Sequence, residues 1–157
     1  MKRIILTLWI LAFMFLGIKN IGAQTKPTPE AAKSVLDFYF NGQGNGVVLA
    51  DVMICTEIEN NECVDNVPVD SLKKESQYYL WMLYIVPSGD EVDGIIIQFN
   101  KGGITRFTRD VSVSGSIRYR TWKTFTLNQL GEWEVKILHD RGESIETLQT
   151  LSLTVNG

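Results

Sequence analysis

The side chains best suited to specific chemistry lie in one run, residues 117–123, which reads IRYRTWK. Successive side chains of a β-strand point to opposite faces, so Arg118, Arg120 and Trp122 would share one face. Tyr119 would point to the other. Guanidinium groups bind carboxylates through two parallel hydrogen bonds, and they also stack on aromatic rings. We therefore expect the strand that carries these four residues to bind an acidic or aromatic-rich partner protein, chiefly through the face of Arg118, Arg120 and Trp122.

The same run has a second interpretation, in which it serves only the fold. Basic residues on a strand can pair with acids on a neighbouring strand, such as Glu132 or Glu134, and stiffen the sheet. The charge distribution leaves both interpretations open. Residues 51–93 hold ten acidic and two basic side chains, whereas residues 101–141 hold eight basic and four acidic ones. Folding either brings these segments together and cancels their charges, or leaves one acidic and one basic face.

Patterns typical of catalysis or metal binding are missing from the sequence. His139 and Asp140 are adjacent, so on a strand they point apart and cannot act as a base and its orienting acid. We expect His139 to be a surface histidine near a turn. Two groups of acids lack the companions that calcium binding or glycoside hydrolysis requires. These groups are Asp90, Glu91 and Asp93 in a predicted turn, and Asp51, Glu57 and Glu59 on or near one strand. We predict no catalytic residues, no metal ligands and no cofactor.

A second aromatic group raises the question of sugar binding, because exposed, coplanar rings stack on carbohydrates. The group comprises Tyr78, Tyr79, Trp81 and Tyr84. The strand that contains them, residues 78–86, is almost wholly apolar, as expected of a central strand covered on both faces. We therefore expect core packing, and carbohydrate binding is the alternative.

Two cysteines, Cys55 and Cys63, are close in sequence. Their spacing does not match a CxxC motif, and the single histidine of the chain cannot complete a zinc site with them. Outside the cytoplasm such a pair usually forms a disulfide, with free thiols as the alternative. The bridge would close a loop of nine residues. Chain entropy then gives a stabilisation of about 2.5 kcal/mol.

The first 23 residues have the pattern of a secretory signal peptide. Lys2 and Arg3 precede an apolar run over residues 4–18, and small residues end the segment at Ala23. The apolar run is shorter than the roughly 20 residues of a membrane-spanning helix. An uncleaved anchor is the alternative. Cleavage would leave 134 residues with 12 basic and 18 acidic side chains, and this net charge of −6 disfavours nucleic-acid binding.

The rest of the chain predicts one helix followed by strands. Thr28 suits a helix N-cap and Pro29 the first helical position, and apolar residues recur at helical spacing up to Phe40. Strand patterns then follow as far as Val155. We place turns or breaks at Asn60-Asn61, Pro87–Asp90, Gly102-Gly103, Gly115 and Asp140–Gly142.

These elements favour a mainly β fold, an immunoglobulin-like antiparallel β-sandwich of about seven strands preceded by one short N-terminal helix. The predicted organisation is a signal peptide (1–23), a linker and short amphipathic helix (24–46) and a β-sandwich domain (47–157). The two cysteines are too close to bridge two sheets in the manner of an antibody domain.

Three segments also carry a family resemblance. They are residues 55–65 (CTEIENNECVD), 116–123 (SIRYRTWK) and 131–135 (GEWEV). In this order they resemble the bacterial domain of unknown function 2914 family over roughly residues 49–155. The family usually has an apolar or Thr residue and a Pro where Cys55 and Cys63 stand, and it tends to carry His-Arg-Trp in the strand of residues 95–99. The resemblance implies a small β-domain of exported or envelope-linked bacterial proteins, and it transfers no activity.

We predict from these observations a non-enzymatic, periplasmic or secreted protein that binds an unidentified protein of the cell envelope. A carbohydrate-binding module with a glycan ligand is the alternative, and a hydrolase is less favoured. We expect no nucleic-acid partner and no stable membrane span after cleavage of the signal.

Overall fold

Eight β-strands and one α-helix form the part of the chain that the structure describes. The computed structural model describes residues 27–41 and 46–157, and the predicted signal peptide lies outside them. The elements are α1 (Pro29–Asn41), β1 (Val48–Cys55), β2 (Ile58–Glu59), β3 (Glu62–Cys63), β4 (Leu72–Lys73), β5 (Gln77–Lys101), β6 (Ile104–Thr126), β7 (Gly131–Asp140) and β8 (Ile145–Asn156). Within the two described ranges, no helix has the length and apolarity that crossing a bilayer requires.

The helix begins where the sequence predicts. The side-chain oxygen of Thr28 accepts a hydrogen bond from the amide of Ala31 at 3.2 Å, which is the contact of an N-cap. Pro29 occupies the first helical position, where its missing amide hydrogen is not needed. The helix ends at Asn41, one residue beyond the predicted Phe40, and none of its residues is buried.

β5 and β6 form one long hairpin that contributes to two layers. Residues 77–86 of β5 lie between β1 and residues 116–126 of β6. Residues 95–100 of β5 lie between β7 and residues 105–111 of β6. Register shifts interrupt the pairing of β5 with β6 between these two stretches, so the hairpin bends there.

The path of the chain at this bend differs from the one predicted from the sequence. The sequence predicts a turn at Pro87–Asp90 and a break at Gly115, yet β5 and β6 continue through both positions. A Cβ on Gly115 would lie 2.8 Å from the carbonyl oxygen of Pro87 and 2.8 Å from the amide nitrogen of Gly89. Only glycine allows two backbones to approach so closely, so the hairpin bends at this point without reversing.

The two halves of the hairpin face each other across the core. The first layer consists of β1, the N-terminal half of β5 and the C-terminal half of β6. The second layer consists of the other two halves, β7 and β8, with β4 parallel to the end of β8. The rings of Phe99, from the second layer, and Phe125, from the first, have centroids 5.1 Å apart. The predicted β-sandwich is confirmed, and the two-residue β4–β8 pair departs from its antiparallel order.

Candidate functional site

The four predicted partner-binding residues lie on the C-terminal half of β6, on two different faces. Tyr119 is paired with Tyr84, which is fully buried, and it packs against the core. Arg118, Arg120 and Trp122 alternate with Tyr119 and therefore lie on the outer face of the first layer. The predicted separation of faces is thus present, and Tyr119 does not share a surface with the other three residues.

Both arginines contact Glu62, which lies in β3. The Nη2 atom of Arg120 is 2.8 Å from Oε1 of Glu62, and the Nη2 atom of Arg118 is 3.4 Å from the same oxygen. The side chain of Arg120 is 26% exposed, whereas that of Arg118 is 60% exposed. The contact of Arg118 is therefore longer and more screened by solvent, which leaves this guanidinium accessible to a partner.

The prediction that this strand pairs with Glu132 or Glu134 was wrong. Glu132 and Glu134 lie on β7, in the second layer, whereas the arginines lie on the outer face of the first. Glu132 accepts a hydrogen bond from the hydroxyl of Thr154 at 3.0 Å. Glu134 forms an ion pair with Lys136 at 3.2 Å. The basic residues of this strand therefore do pair with an acid of the same chain, but that acid is Glu62.

Three contacts hold the β2–β3 hairpin against the outer face. Cys63 is bonded to Cys55, with Cα atoms 5.7 Å apart, so the predicted disulfide is confirmed. The indole Nε1 of Trp81 donates a hydrogen bond to the carbonyl oxygen of Asn61 at 2.8 Å. The ion pairs with the two arginines supply the third contact. The predicted turn is also present, because Asn60 and Asn61 have φ angles of 50° and 64° at the tip of the hairpin.

A small apolar patch lies beside and beneath this hairpin. Trp81 is its centre, with Met53 of β1 and Trp122 of β6 directly opposite in register on its two sides. Trp81 is only 2% exposed, whereas Met53 and Trp122 are half-buried. Tyr79 and Leu83, which are also half-buried, flank Trp81 on the same face of β5. These five residues are called the outer patch below.

Exposed acids surround the hairpin. Glu57, Glu59 and Asp65 are exposed and form no ion pair with any side chain that the structure describes. Among the described ion pairs, only those of Glu62 join the acidic segment of the sequence to the basic one. The fold therefore cancels the uneven charge only locally and leaves acidic side chains around the outer patch.

Three members of the second aromatic group are buried, and the predicted core packing is confirmed for Tyr78 and Tyr84. Tyr78, Trp81 and Tyr84 are at most 4% exposed, and Tyr79 is half-buried. Tyr78 and Tyr84 face the core, while Trp81 is buried on the opposite face beneath the hairpin. Burial raises the pKa of the Tyr84 hydroxyl above its usual range. Three of the four rings are therefore unavailable as a platform for sugars.

His139 is buried, so the prediction of a surface histidine was wrong. It is 3% exposed and lies in phase with Trp133 and Ile137 on the inner face of β7. Its Nδ1 atom has no hydrogen-bond partner in the part of the chain that the structure describes. Burial lowers the pKa of His139 below its usual 6.5, and the positive charge of Arg141 lowers it further, against the opposing effect of Glu146 and Asp140.

We expect the stability of the domain to fall as the pH drops below about 6.5. The unfolded chain protonates His139 near that pH, whereas the fold favours the neutral ring, so the unfolded state binds more protons in this range. The loss levels off once the pH is below the pKa of the folded state. Urea unfolding at intervals between about pH 5.5 and 7.5 measures it, since no other side-chain type ordinarily titrates there.

His139→Leu is the control, because it removes the only histidine of the chain and fills a similar volume. The variant should lose the pH dependence in this range. An unchanged slope in the variant would exclude His139 as its source.

Neither group of candidate acids forms an enclosed site. The acids considered for glycoside hydrolysis, Asp51, Glu57 and Glu59, are all exposed. Among the residues that the structure describes, no three His, Cys, Asp or Glu side chains are grouped so as to hold a metal ion. From the group considered for calcium, Glu91 and Asp93 are exposed and line a cavity of about 240 Å³ together with Tyr119. Typical small-molecule sites occupy roughly 300–1,000 Å³ and enclose most of the ligand.

Comparisons with known proteins give weak likenesses. No protein-family model matches the chain, and no curated protein matches it significantly. The crystal structure of an immunoglobulin-like protein from Pseudomonas aeruginosa aligns with a TM-score of 0.49 and 12% identity, over 73% of this chain and 100% of that one. The solution structure of a CARDB domain from Pyrococcus furiosus aligns with a TM-score of 0.39 and 15% identity, over 69% of this chain and 93% of that one. At such TM-scores neither likeness is evidence for a function.

Proposed function

We propose that the chain is an exported, non-enzymatic β-sandwich that binds another protein of the bacterial cell envelope through a surface made of the outer patch, Arg118 and the β2–β3 hairpin. One observation carries the proposal: the β2–β3 hairpin is held in place beside Trp122 and Arg118. A loop that is already fixed loses little conformational entropy when a partner binds it. Tryptophan and arginine are also the residue types most enriched where the binding energy of protein interfaces is concentrated.

The residues of this surface have different roles in the proposal. Trp122 and Arg118 are accessible and would contact the partner. Arg120 is engaged with Glu62 at 2.8 Å, so it acts by holding the hairpin in position. Trp81 has the same positioning role, because its ring is buried beneath the hairpin.

The location and the family are part of the proposal. The disulfide supports export, because such bonds persist in oxidising compartments and are rare in the cytosol. The signal-like pattern of residues 1–23 supports it as well. We also propose that the chain is a distant member of the domain of unknown function 2914 family. The support comes from residues 116–123, which lie in β6, and from residues 131–135, which begin β7.

The test is direct binding to a purified partner. Cross-linking in the native envelope and mass spectrometry would identify the partner, and calorimetry would then measure its affinity. The double variant Arg118→Ala/Trp122→Ala should bind at least about tenfold more weakly, since it removes both accessible contact residues. Arg106→Ala is the matched control, because Arg106 is exposed on the other half of β6. A correctly folded double variant with unchanged affinity would refute the proposed surface.

The two alternatives have less support. Glycan binding would depend on Tyr79 and Trp122, because the other candidate rings are buried. A hydrolase would need carboxylates that face each other across a cleft, whereas Asp51, Glu57 and Glu59 are all exposed to solvent. A general acid usually requires a more desolvated carboxyl group.

A further inference from the structure

The free edge of β6 is the feature that leads beyond the proposed function. β6 pairs with β5 alone and is therefore the outer strand of both layers. Within the described part of the chain, no backbone group outside β5 forms a hydrogen bond with the backbone of residues 116–126. A strand in this position presents a row of unpaired N–H and C=O groups along its other side.

Residues 119–126 are the most regular part of this edge. They pair one to one with residues 77–84 of β5 without a register shift. The pairing of residues 104–116 is interrupted by several shifts. Such irregularities protect an edge, because they bend it away from an approaching strand. The stretch 119–126 has no such irregularity.

The other outer strands have shorter regular stretches of open edge. β1 has only eight residues and an irregularity between Leu49 and Asp51. β8 is covered only at its C-terminal end, where it pairs with β4 and the amide of Thr154 donates to the carbonyl oxygen of Val69 at 2.8 Å. A register shift also interrupts its pairing with β7 between Thr147 and Gln149. In the part of the chain that the structure describes, the longest regular stretch of open edge is therefore at residues 119–126.

The side chains at this edge define what an added strand would carry. Residues 116–126 contain Arg118, Arg120 and Lys123 and no acid. Lys123 is half-buried on the core-facing side of β6, opposite the fully buried Leu80, and forms no ion pair with any described side chain. An inward-pointing lysine disfavours pairing with a strand that carries no acid beside it. An acidic residue beside Lys123 and an apolar one beside Trp122 would complement both faces. Like charges directly opposite destabilise a sheet, which disfavours pairing with a second copy of this strand.

We propose that the partner binds by strand addition: an extended segment with alternating acidic and apolar residues pairs with residues 119–126 of β6 and extends the first layer. Main-chain hydrogen bonds supply affinity in this mode, and the alternating side chains supply specificity. The inference rests on the proposed function, because it specifies how the partner engages the strand that carries Trp122. It adds Lys123 as a specificity-determining residue.

A synthetic peptide tests the inference on the full exported chain. The probe is an eight-residue peptide of alternating valine and glutamate, acetylated and amidated at its ends, with binding followed by NMR. We expect cross-strand contacts between the peptide backbone and residues 119–126. Methylation of alternate peptide nitrogens should abolish binding, since it removes the donors that face β6. Lys123→Glu should weaken binding at least about tenfold, whereas Arg106→Glu, with the same change in net charge, should have a much smaller effect.

The outcomes separate this inference from the proposed function. Binding that survives N-methylation, contacts at the β1 or β8 edge, or no binding at millimolar peptide would overturn strand addition. If strand addition fails while the purified envelope partner still responds to Arg118→Ala/Trp122→Ala, the proposed function stands alone. If the peptide adds to β6 but the partner does not respond to that double variant, the outer patch is wrong and strand addition is retained.

Discussion

Replacing Trp81 by alanine is expected to lower the free energy of unfolding by about 3–5 kcal/mol. The indole ring is 2% exposed between the sheet and the β2–β3 hairpin, so its removal leaves a cavity under the hairpin. The carbonyl oxygen of Asn61 would also lose its donor at 2.8 Å. Urea unfolding at neutral pH measures the effect. Hydrogen exchange should show the hairpin amides losing protection first, because one of their three anchors is gone.

Trp81→Phe separates packing from hydrogen bonding at the same position. Phenylalanine keeps most of the apolar volume and removes only the indole donor, so the expected loss is about 1 kcal/mol. Asn61 is exposed, and water can satisfy its carbonyl oxygen. A loss in Trp81→Ala below about 1.5 kcal/mol would contradict the role of Trp81 as the anchor of the hairpin, as would equal losses in the two variants.

Removing the disulfide is the second large effect. The double variant Cys55→Ala/Cys63→Ala should lose about 2.5 kcal/mol of stability, the chain-entropy value for a nine-residue loop. Cys55 is fully buried, and alanine avoids placing a hydroxyl there. The loss should be accompanied by faster exchange of the Val64 amide, which bonds to the carbonyl oxygen of Glu57 at 3.2 Å, while the central β5 amides remain protected.

Treatment of the unaltered protein with a reductant provides the matched comparison for the cysteine variant. Both should reach the same stability if the covalent bond is the cause. Thiol titration of the exported protein should detect no free cysteine. Two free thiols, or a double variant as stable as the oxidised protein, would contradict a structural disulfide at this site.

Local patterns in the sequence were sufficient for much of the fold. The Thr28 cap, the Asn60-Asn61 turn and the disulfide each depend on residues close together in the chain, and each is present. The burial of His139 could also have been predicted from the alternation of apolar and polar residues in β7, because His139 is in phase with Trp133 and Ile137. The proximity of Asp140-Arg141-Gly142 suggested a surface turn instead, although the period of two extends through His139.

Features that depend on residues far apart in the chain could not be predicted from local sequence patterns. Glu62 and Arg120 are far apart in sequence and meet only because the hairpin folds back over the outer face. The role of Trp81 follows from the same event, since its position out of phase with Tyr78 and Tyr84 would otherwise expose it. The free edge at residues 119–126 likewise depends on which strands pair, and strand order is not encoded in the period of a single strand.

Binding through the outer patch is tested most directly by NMR chemical-shift mapping of the exported chain titrated with its purified envelope partner. We predict that the largest changes occur in the hairpin, Ile58–Cys63, and in residues 118–126 of β6. Changes confined to α1 or to the outer faces of β7 and β8, with the hairpin unaffected, would contradict it.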